Sequence, residues 1–123
     1  MKAVIVVLSD PNGGEESLGR MFNALAVAYD LKQKGQEVEV LFQGTGTRWI
    51  GKIADPKHPV HTLYKAVEDK IAGASLACAA FFGATADVEK NGCDFVTGNA
   101  VPGTEGLPSL EQYAKRGYAV MTF

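Results

Sequence analysis

Hydrophobic positions fall along this chain in blocks whose period changes from strand-like to helical and back. Ala3-Val-Ile-Val-Val-Leu8 is an unbroken, mostly β-branched apolar run. That pattern predicts a strand covered on both faces, as in parallel sheets. Asp10-Pro-Asn-Gly-Gly14 breaks it. Glu15 and Glu16 suit the first turn of a helix, where the backbone dipoles favour negative charge. Leu18, Met21, Phe22, Leu25, Ala28 and Tyr29 follow at helical spacing, and Gly35 closes the helix. Glu37-Val-Glu-Val-Leu-Phe42 predicts a second strand. The three elements together have the size of a right-handed parallel crossover.

Gly44-Thr-Gly-Thr47 ends the second strand and leads into a short helical turn at Arg48-Trp49-Ile50. Asp55-Pro56 and His58-Pro59 mark another break. Val60, Leu63, Tyr64, Val67 and Ile71 then recur at helical spacing. Ser75 to Cys78 predicts the third strand, followed by a helix from Ala79 to Lys90 that breaks at Gly83 and stops at Asn91-Gly92. Between Cys93 and Leu107, Gly98, Pro102, Gly103 and Gly106 argue for loop, with one short strand at Cys93-Asp-Phe-Val96. A loop of about fifteen residues in so small a domain is usually functional. Pro108-Ser-Leu-Glu111 starts a last helix with Leu110, Tyr113 and Ala114 facing inward. Gly117 ends it, and Tyr118-Ala-Val-Met-Thr-Phe123 predicts a final strand.

Strands alternating with helices predict a three-layer α/β/α sandwich, flavodoxin-like in outline, with a mainly parallel sheet of four to five strands. Ligands of such sheets sit beyond the carboxyl ends of the strands. That rim gathers Ser9 to Gly14, Gln43 to Thr47 and Cys78 to Ala80.

Composition narrows the function classes. The 123 residues predict one domain spanning 1–123, and 46% hydrophobic with 21% charged residues is ordinary for a soluble one. A net charge of −2 and a pI near 5.6 offer no field to attract nucleic acid. The apolar start is too short for a signal peptide, and no run reaches membrane-span length. We therefore expect a cytoplasmic protein with free thiols.

Two cysteines, Cys78 and Cys93, are too few for a disulfide scaffold, and no CxxC pair points to zinc. Cys78, at the end of a strand and the start of a helix, is the first candidate for side-chain chemistry, because backbone N–H groups there favour a thiolate. Its plain reading is a small buried hydrophobe among Leu76, Ala77, Ala79 and Phe81. Cys93 either resolves an oxidised Cys78 or is incidental, and nothing in the spacing pairs the two. Asp10, Gly13 and Gly14 precede a helix as a phosphate loop would, but match no nucleotide motif, and Glu15 and Glu16 would repel a phosphate. Gly44 and Thr45 have hydroxyl and backbone groups able to hold a flavin phosphate, and a simple turn explains them equally well. His58 and His61 have no partners completing a metal set. Trp49 is a core residue by default.

Several segments together resemble the DsrE/DsrF-like family of small sulfur-relay proteins. They are Val4-Ile-Val-Val-Leu-Ser-Asp-Pro11, Leu31-Lys-Gln-Lys-Gly35, Val38-Glu-Val-Leu-Phe42, Cys78-Ala-Ala-Phe-Phe-Gly-Ala84, Val88-Glu-Lys-Asn-Gly92, Pro108-Ser-Leu110 and Gly117-Tyr-Ala-Val-Met-Thr-Phe123. The resemblance implies a DsrEFH-like fold of about five strands, usually in a homo- or hetero-oligomer, with sulfane sulfur carried as a persulfide on a cysteine after the third strand. Cys78 occupies that position. The implied partners are sulfur donor and acceptor proteins or small sulfane-sulfur compounds, with no metal or organic cofactor, no nucleic acid and no membrane span. Two departures stand out. Phe81-Phe82-Gly83 replaces an Arg pair and Gly, and Ser75 stands where other members have a second cysteine. The competing readings are a binding or assembly module in which Cys78 only packs, and a flavin- or nucleotide-binding protein.

Overall fold

A computed structural model describes residues Met1–Phe123. Five strands form one sheet in the order β4-β3-β2-β1-β5, with every pairing parallel. They are β1 (Lys2–Val7), β2 (Glu37–Phe42), β3 (Ile71–Ser75), β4 (Phe95–Val96) and β5 (Ala119–Thr122). The helices are α1 (Gly14–Gln33), α2 (Trp49–Ile53), α3 (His61–Val67), α4 (Leu76–Phe81), α5 (Thr85–Lys90) and α6 (Leu110–Lys115). Short 3-10 turns at Gly44–Arg48 and Glu68–Lys70 precede α2 and β3.

The order follows from crossover handedness. β1 through β4 step across the sheet in one direction, so right-handed connections place their helices on one face. The step from β4 to β5 runs back to the far edge, and it carries α6 over the opposite face. Burial matches this division. Ala3, Ile5 and Val7 of β1 join residues of α1 to α5 in the main core, including Met21, Leu25, Ile50, Val67, Ala79 and Val88. Val4 and Val6 point the other way, into a small core with Leu41 and Tyr113. β1 is an interior strand buried on both faces, which is why its sequence is apolar without alternation.

The expected three-layer parallel sheet is present, with five strands and no antiparallel partner. Several boundaries differ. β3 begins at Ile71, which the helical spacing assigns to the preceding helix, and ends at Ser75 rather than Cys78. Ser75 starts α4, because its side-chain Oγ accepts the Cys78 N–H at 3.2 Å, the bond of an N-cap. Cys78 therefore belongs to a helical first turn and not to the strand. Phe22 and Tyr29 follow the helical period but lie on the flank of α1, 47% and 42% exposed. Ala114 is exposed, since α6 turns only Tyr113 and part of Leu110 toward the sheet.

Candidate functional site

The loops after β1 and β2 and the helix α4 after β3 meet beyond the carboxyl ends of these strands, and they are tied to one another rather than left open. Gly46 passes so close to β1 that a Cβ there would lie 2.2 Å from the Val7 carbonyl oxygen. Only glycine allows that approach. Buried Trp49 donates its indole Nε1–H to the Ser9 carbonyl at 2.8 Å. Thr45 Oγ1 reaches the Leu8 carbonyl at 3.4 Å, and Thr47 Oγ1 donates to the Gly44 carbonyl at 2.9 Å. Arg48 is the central tie. Its guanidinium pairs with Asp10 Oδ2 at 3.1 Å, and its Nε donates to the Phe82 carbonyl at 3.0 Å. Asp10 Oδ1 accepts the Asn12 N–H at 2.9 Å, which shapes the turn before α1.

These bonds engage the Asp10 carboxylate and the Thr45 and Thr47 hydroxyls within the protein. Asp10, Gly44 and Thr45 stand on the rim, where the sequence places them, with the Asp10 carboxylate, the Gly44 carbonyl and the Thr45 hydroxyl bonded within the protein. Gly13 and Gly14 open α1, beside Glu15 and Glu16.

Cys78 lies one helical turn past the end of β3, half-buried. It lines an apolar cavity of about 520 Å³ together with residues of α4 and its end, Phe81 and Phe82 among them, and with Gly103, Thr104, Glu105 and Leu107. The α4 wall exists because Gly83, at φ +72°, ends the helix in a conformation that suits glycine. Phe81 is 82% exposed at the cavity mouth and makes an edge-on contact with Phe82, their ring centroids 4.9 Å apart.

The opposite wall comes from the long loop. Asn99 and Leu107 exchange two backbone hydrogen bonds, at 2.7 and 3.0 Å, which close residues 100–106 into a hairpin. Its tip is held by the Thr104 hydroxyl, which donates to the Val101 carbonyl at 2.7 Å and accepts the Gly106 N–H at 3.2 Å. The Gly106 carbonyl then accepts the Ala77 N–H at 2.9 Å, docking the hairpin on the first turn of α4. Gly106 has φ +106°, and a Cβ there would meet the Thr97 Cβ at 2.9 Å. The long glycine-rich segment is thus an ordered wall of the cysteine cavity. Two first-turn N–H groups of α4 are already bonded, one to Ser75 and one to Gly106. The site therefore rests on its cavity more than on a free helix end.

Cys93 opens into a different cavity of about 80 Å³, which it shares with Tyr64, Glu68 and Ile71 at the start of β3. The two cavities have no lining residue in common. Burial, helped by the carboxylates of Asp94 and Glu68, pushes the Cys93 thiol up to about 11. Burial and a hydrogen bond to Glu68 raise the Tyr64 phenol as well. His58 Nδ1 accepts the Val60 N–H at 3.0 Å, and His61 Nδ1 lies 2.8 Å from the Ile53 carbonyl oxygen. Both histidines serve the α2–α3 connection. No group of three His, Cys, Asp or Glu side chains is placed to hold a metal ion. No helix is long and apolar enough to cross a membrane.

Sequence reasoning missed Arg48 and Glu105. Arg48 reads locally as part of a turn, and only the fold brings it to Asp10 and Phe82. Glu105 sits in a stretch without periodicity, and the one signal for it was the improbable length of that loop.

A parallel five-stranded sheet with a cysteine cavity at the carboxyl rim defines a class, and the comparisons specify it. The sequence profile of the DsrE/DsrF-like family matches residues 1–123, and the chain belongs to that family. It is 25% identical over 89 residues to an uncharacterized protein of Methanocaldococcus jannaschii, MJ0733, covering 72% of this chain and 73% of that protein. Among solved structures, the fold is similar to a conserved protein of unknown function from Bacteroides thetaiotaomicron, BT1422. That match has a TM-score of 0.64 and 16% identity over 99% of this chain and 94% of the other. It is also similar to the ychN protein of E. coli, with a TM-score of 0.56 and 16% identity over the full length of both chains.

Proposed function

We propose that the protein is a sulfur carrier that holds sulfane sulfur as a persulfide on Cys78. The observation that carries this reading is the placement of Cys78 in an open apolar cavity on the carboxyl rim, in a chain of the DsrE/DsrF-like family. The step is a displacement at sulfur. The Cys78 thiolate attacks the outer sulfur of a donor persulfide, the donor S–S bond breaks, and the donor thiolate leaves with the electron pair. The proton on the outer sulfur travels with it, so Cys78 becomes a persulfide with no net oxidation. Delivery to an acceptor thiolate repeats the step with the roles exchanged.

The cavity walls support this chemistry in two ways. Apolar side chains shield a persulfide from water, and the exposed Phe81 offers a partner an aromatic anchor beside the thiol. Ser75 removes the option of a local disulfide with Cys78. Cys93 stands apart in its own cavity and has no role in the transfer.

The test is to incubate reduced protein with a sulfane-sulfur donor and measure its intact mass beside Cys78→Ser. The reading expects wild type to gain the mass of sulfur and the variant to gain none. The large exposure of Phe81 favours a second reading, in which the cavity docks a partner and Cys78 only packs. In that case both proteins remain unmodified.

A further inference from the structure

We infer that Glu105 sets the charge preference of the Cys78 cavity, admitting cationic and neutral sulfur compounds or protein segments and discriminating against anionic ones. The inference rests on the reading of Cys78 as the group that exchanges sulfur. Its own basis is the electrostatics of the cavity walls.

Of the residues lining the cavity, Glu105 alone carries a charge, and the remainder are apolar or neutral. Its carboxylate makes no ion pair and no hydrogen bond within the chain. Arg48, the cation that ties the rim loops together, is already paired with Asp10 and bonded to the Phe82 carbonyl. Arg48 lies against the Phe82 ring, 5.6 Å from its centroid, and is not among the lining residues.

Glu105 is also held in place. Thr104, just before it, uses its hydroxyl twice within the loop, and Gly106, just after it, is bonded to Ala77. The Glu105 backbone is therefore held between two anchored residues, at the edge of a cavity whose other walls have low polarity. Such walls reduce screening and concentrate the field of one charge on whatever enters. An anionic persulfide approaching Cys78 meets repulsion with no compensating cation, whereas an ammonium or guanidinium beside the reacting sulfur meets an unpaired carboxylate. The ligand class that fits is a neutral or positively charged sulfur compound, or a cysteine-bearing segment with a basic residue beside the cysteine.

The test uses two small disulfides of opposite charge on the full chain, reading modification of the Cys78 peptide by mass. Cystamine supplies the cationic probe and dithiodiglycolate the anionic one. In each case the Cys78 thiolate attacks one sulfur, a mixed disulfide forms and the other half leaves as a thiolate, so no further reagent is needed. At low salt the ratio of cationic to anionic rates should exceed that of the urea-unfolded chain by about threefold or more, and it should shrink in molar salt. Glu105→Gln should bring the ratio close to the unfolded value, and Glu105→Lys should invert it. Glu105 is exposed, so these variants keep the fold. An unchanged ratio in Glu105→Gln, a ratio insensitive to salt, or no reaction of Cys78 with either probe overturns the inference. Persulfide retention is measured separately. A charge-dependent ratio without stored sulfur supports the role of Glu105 and refutes the carrier reading.

Discussion

Arg48 donates its Nε–H to the carbonyl oxygen of Phe82 across 3.0 Å, with its guanidinium carbon 5.6 Å from the centroid of the Phe82 ring. The same side chain pairs with Asp10, so one residue joins the loops after β1 and β2 to the end of α4. Arg48→Ala should cost about 1–2 kcal/mol, since it removes a charge-assisted bond and leaves a carbonyl without its donor. Urea unfolding measures the loss. Hydrogen exchange should rise at Phe81–Gly83 and at Asp10–Gly13 together. Arg48→Lys should recover only part, because an ammonium cannot serve both partners in a planar fork.

Ser75 is fully buried and caps the turn that holds Cys78. Ser75→Ala should destabilise by about 1 kcal/mol. It should also speed alkylation of Cys78 in the native protein, because the turn frays more often. Thermal unfolding and site-resolved alkylation rates together check the expectation.

Gly106 adopts φ +106° and leaves no room for a Cβ beside Thr97. Gly106→Ala should cost at least about 1–2 kcal/mol. Limited proteolysis should then cut within residues 100–106, where the wild-type hairpin resists. Gly103, with φ +79° and open space around it, should tolerate substitution better.

The Lys32 ammonium, 2.7 Å from Asp69 Oδ1, fastens α1 to the turn before β3 and holds the Asp69 carboxyl below its ordinary 3.8. A depressed carboxyl contributes stability above its unfolded pKa and loses it as pH falls through the folded value. Asp69→Asn should therefore lower stability at pH 7 by about 0.2–1 kcal/mol, as expected for an exposed pair. The gap between wild type and variant should close in acid well below 3.8. Urea midpoints compared at neutral and strongly acid pH provide the measurement.

Cys93 has the opposite sign. Its thiol is raised from 9.0 to about 11 by burial, so the neutral form is the native one. Stability should be undiminished below pH 9 and should fall as pH rises toward about 11, where the unfolded chain has already released the proton. Cys93→Ala should make that alkaline decline shallower. In native protein at pH 8, iodoacetamide should label Cys93 far more slowly than in urea.

Much of the fold was legible in the pattern of apolar positions, because the inner strands are covered by helices and α1 buries a stripe. β1 is the clearest case, apolar at every position from Ala3 to Val7 because both faces are packed. Boundaries near β3 were less legible, since Ile71 fits a helical stripe and a strand equally well. The strand-to-helix change at Ser75 depends on a hydroxyl cap within a run of small residues, which has no period to read. The candidate site divides in the same way. Cys78 stood out by residue type and by family resemblance. Arg48 and Glu105 did not, because their roles arise from contacts between segments distant along the chain. Phe22 and Tyr29 show the limit of periodicity, which marks a face of α1 without showing how far the neighbouring layer extends over it.

Locating the stored sulfur tests the central claim most directly. Reduced wild-type protein is loaded with a sulfane-sulfur donor, digested without reductant, and its cysteine peptides are weighed. The account predicts added sulfur on the peptide containing Cys78, removed by an acceptor thiol, with the Cys93 peptide unmodified. Sulfur on Cys93 instead, or none on Cys78 while the unfolded chain loads readily, would contradict it.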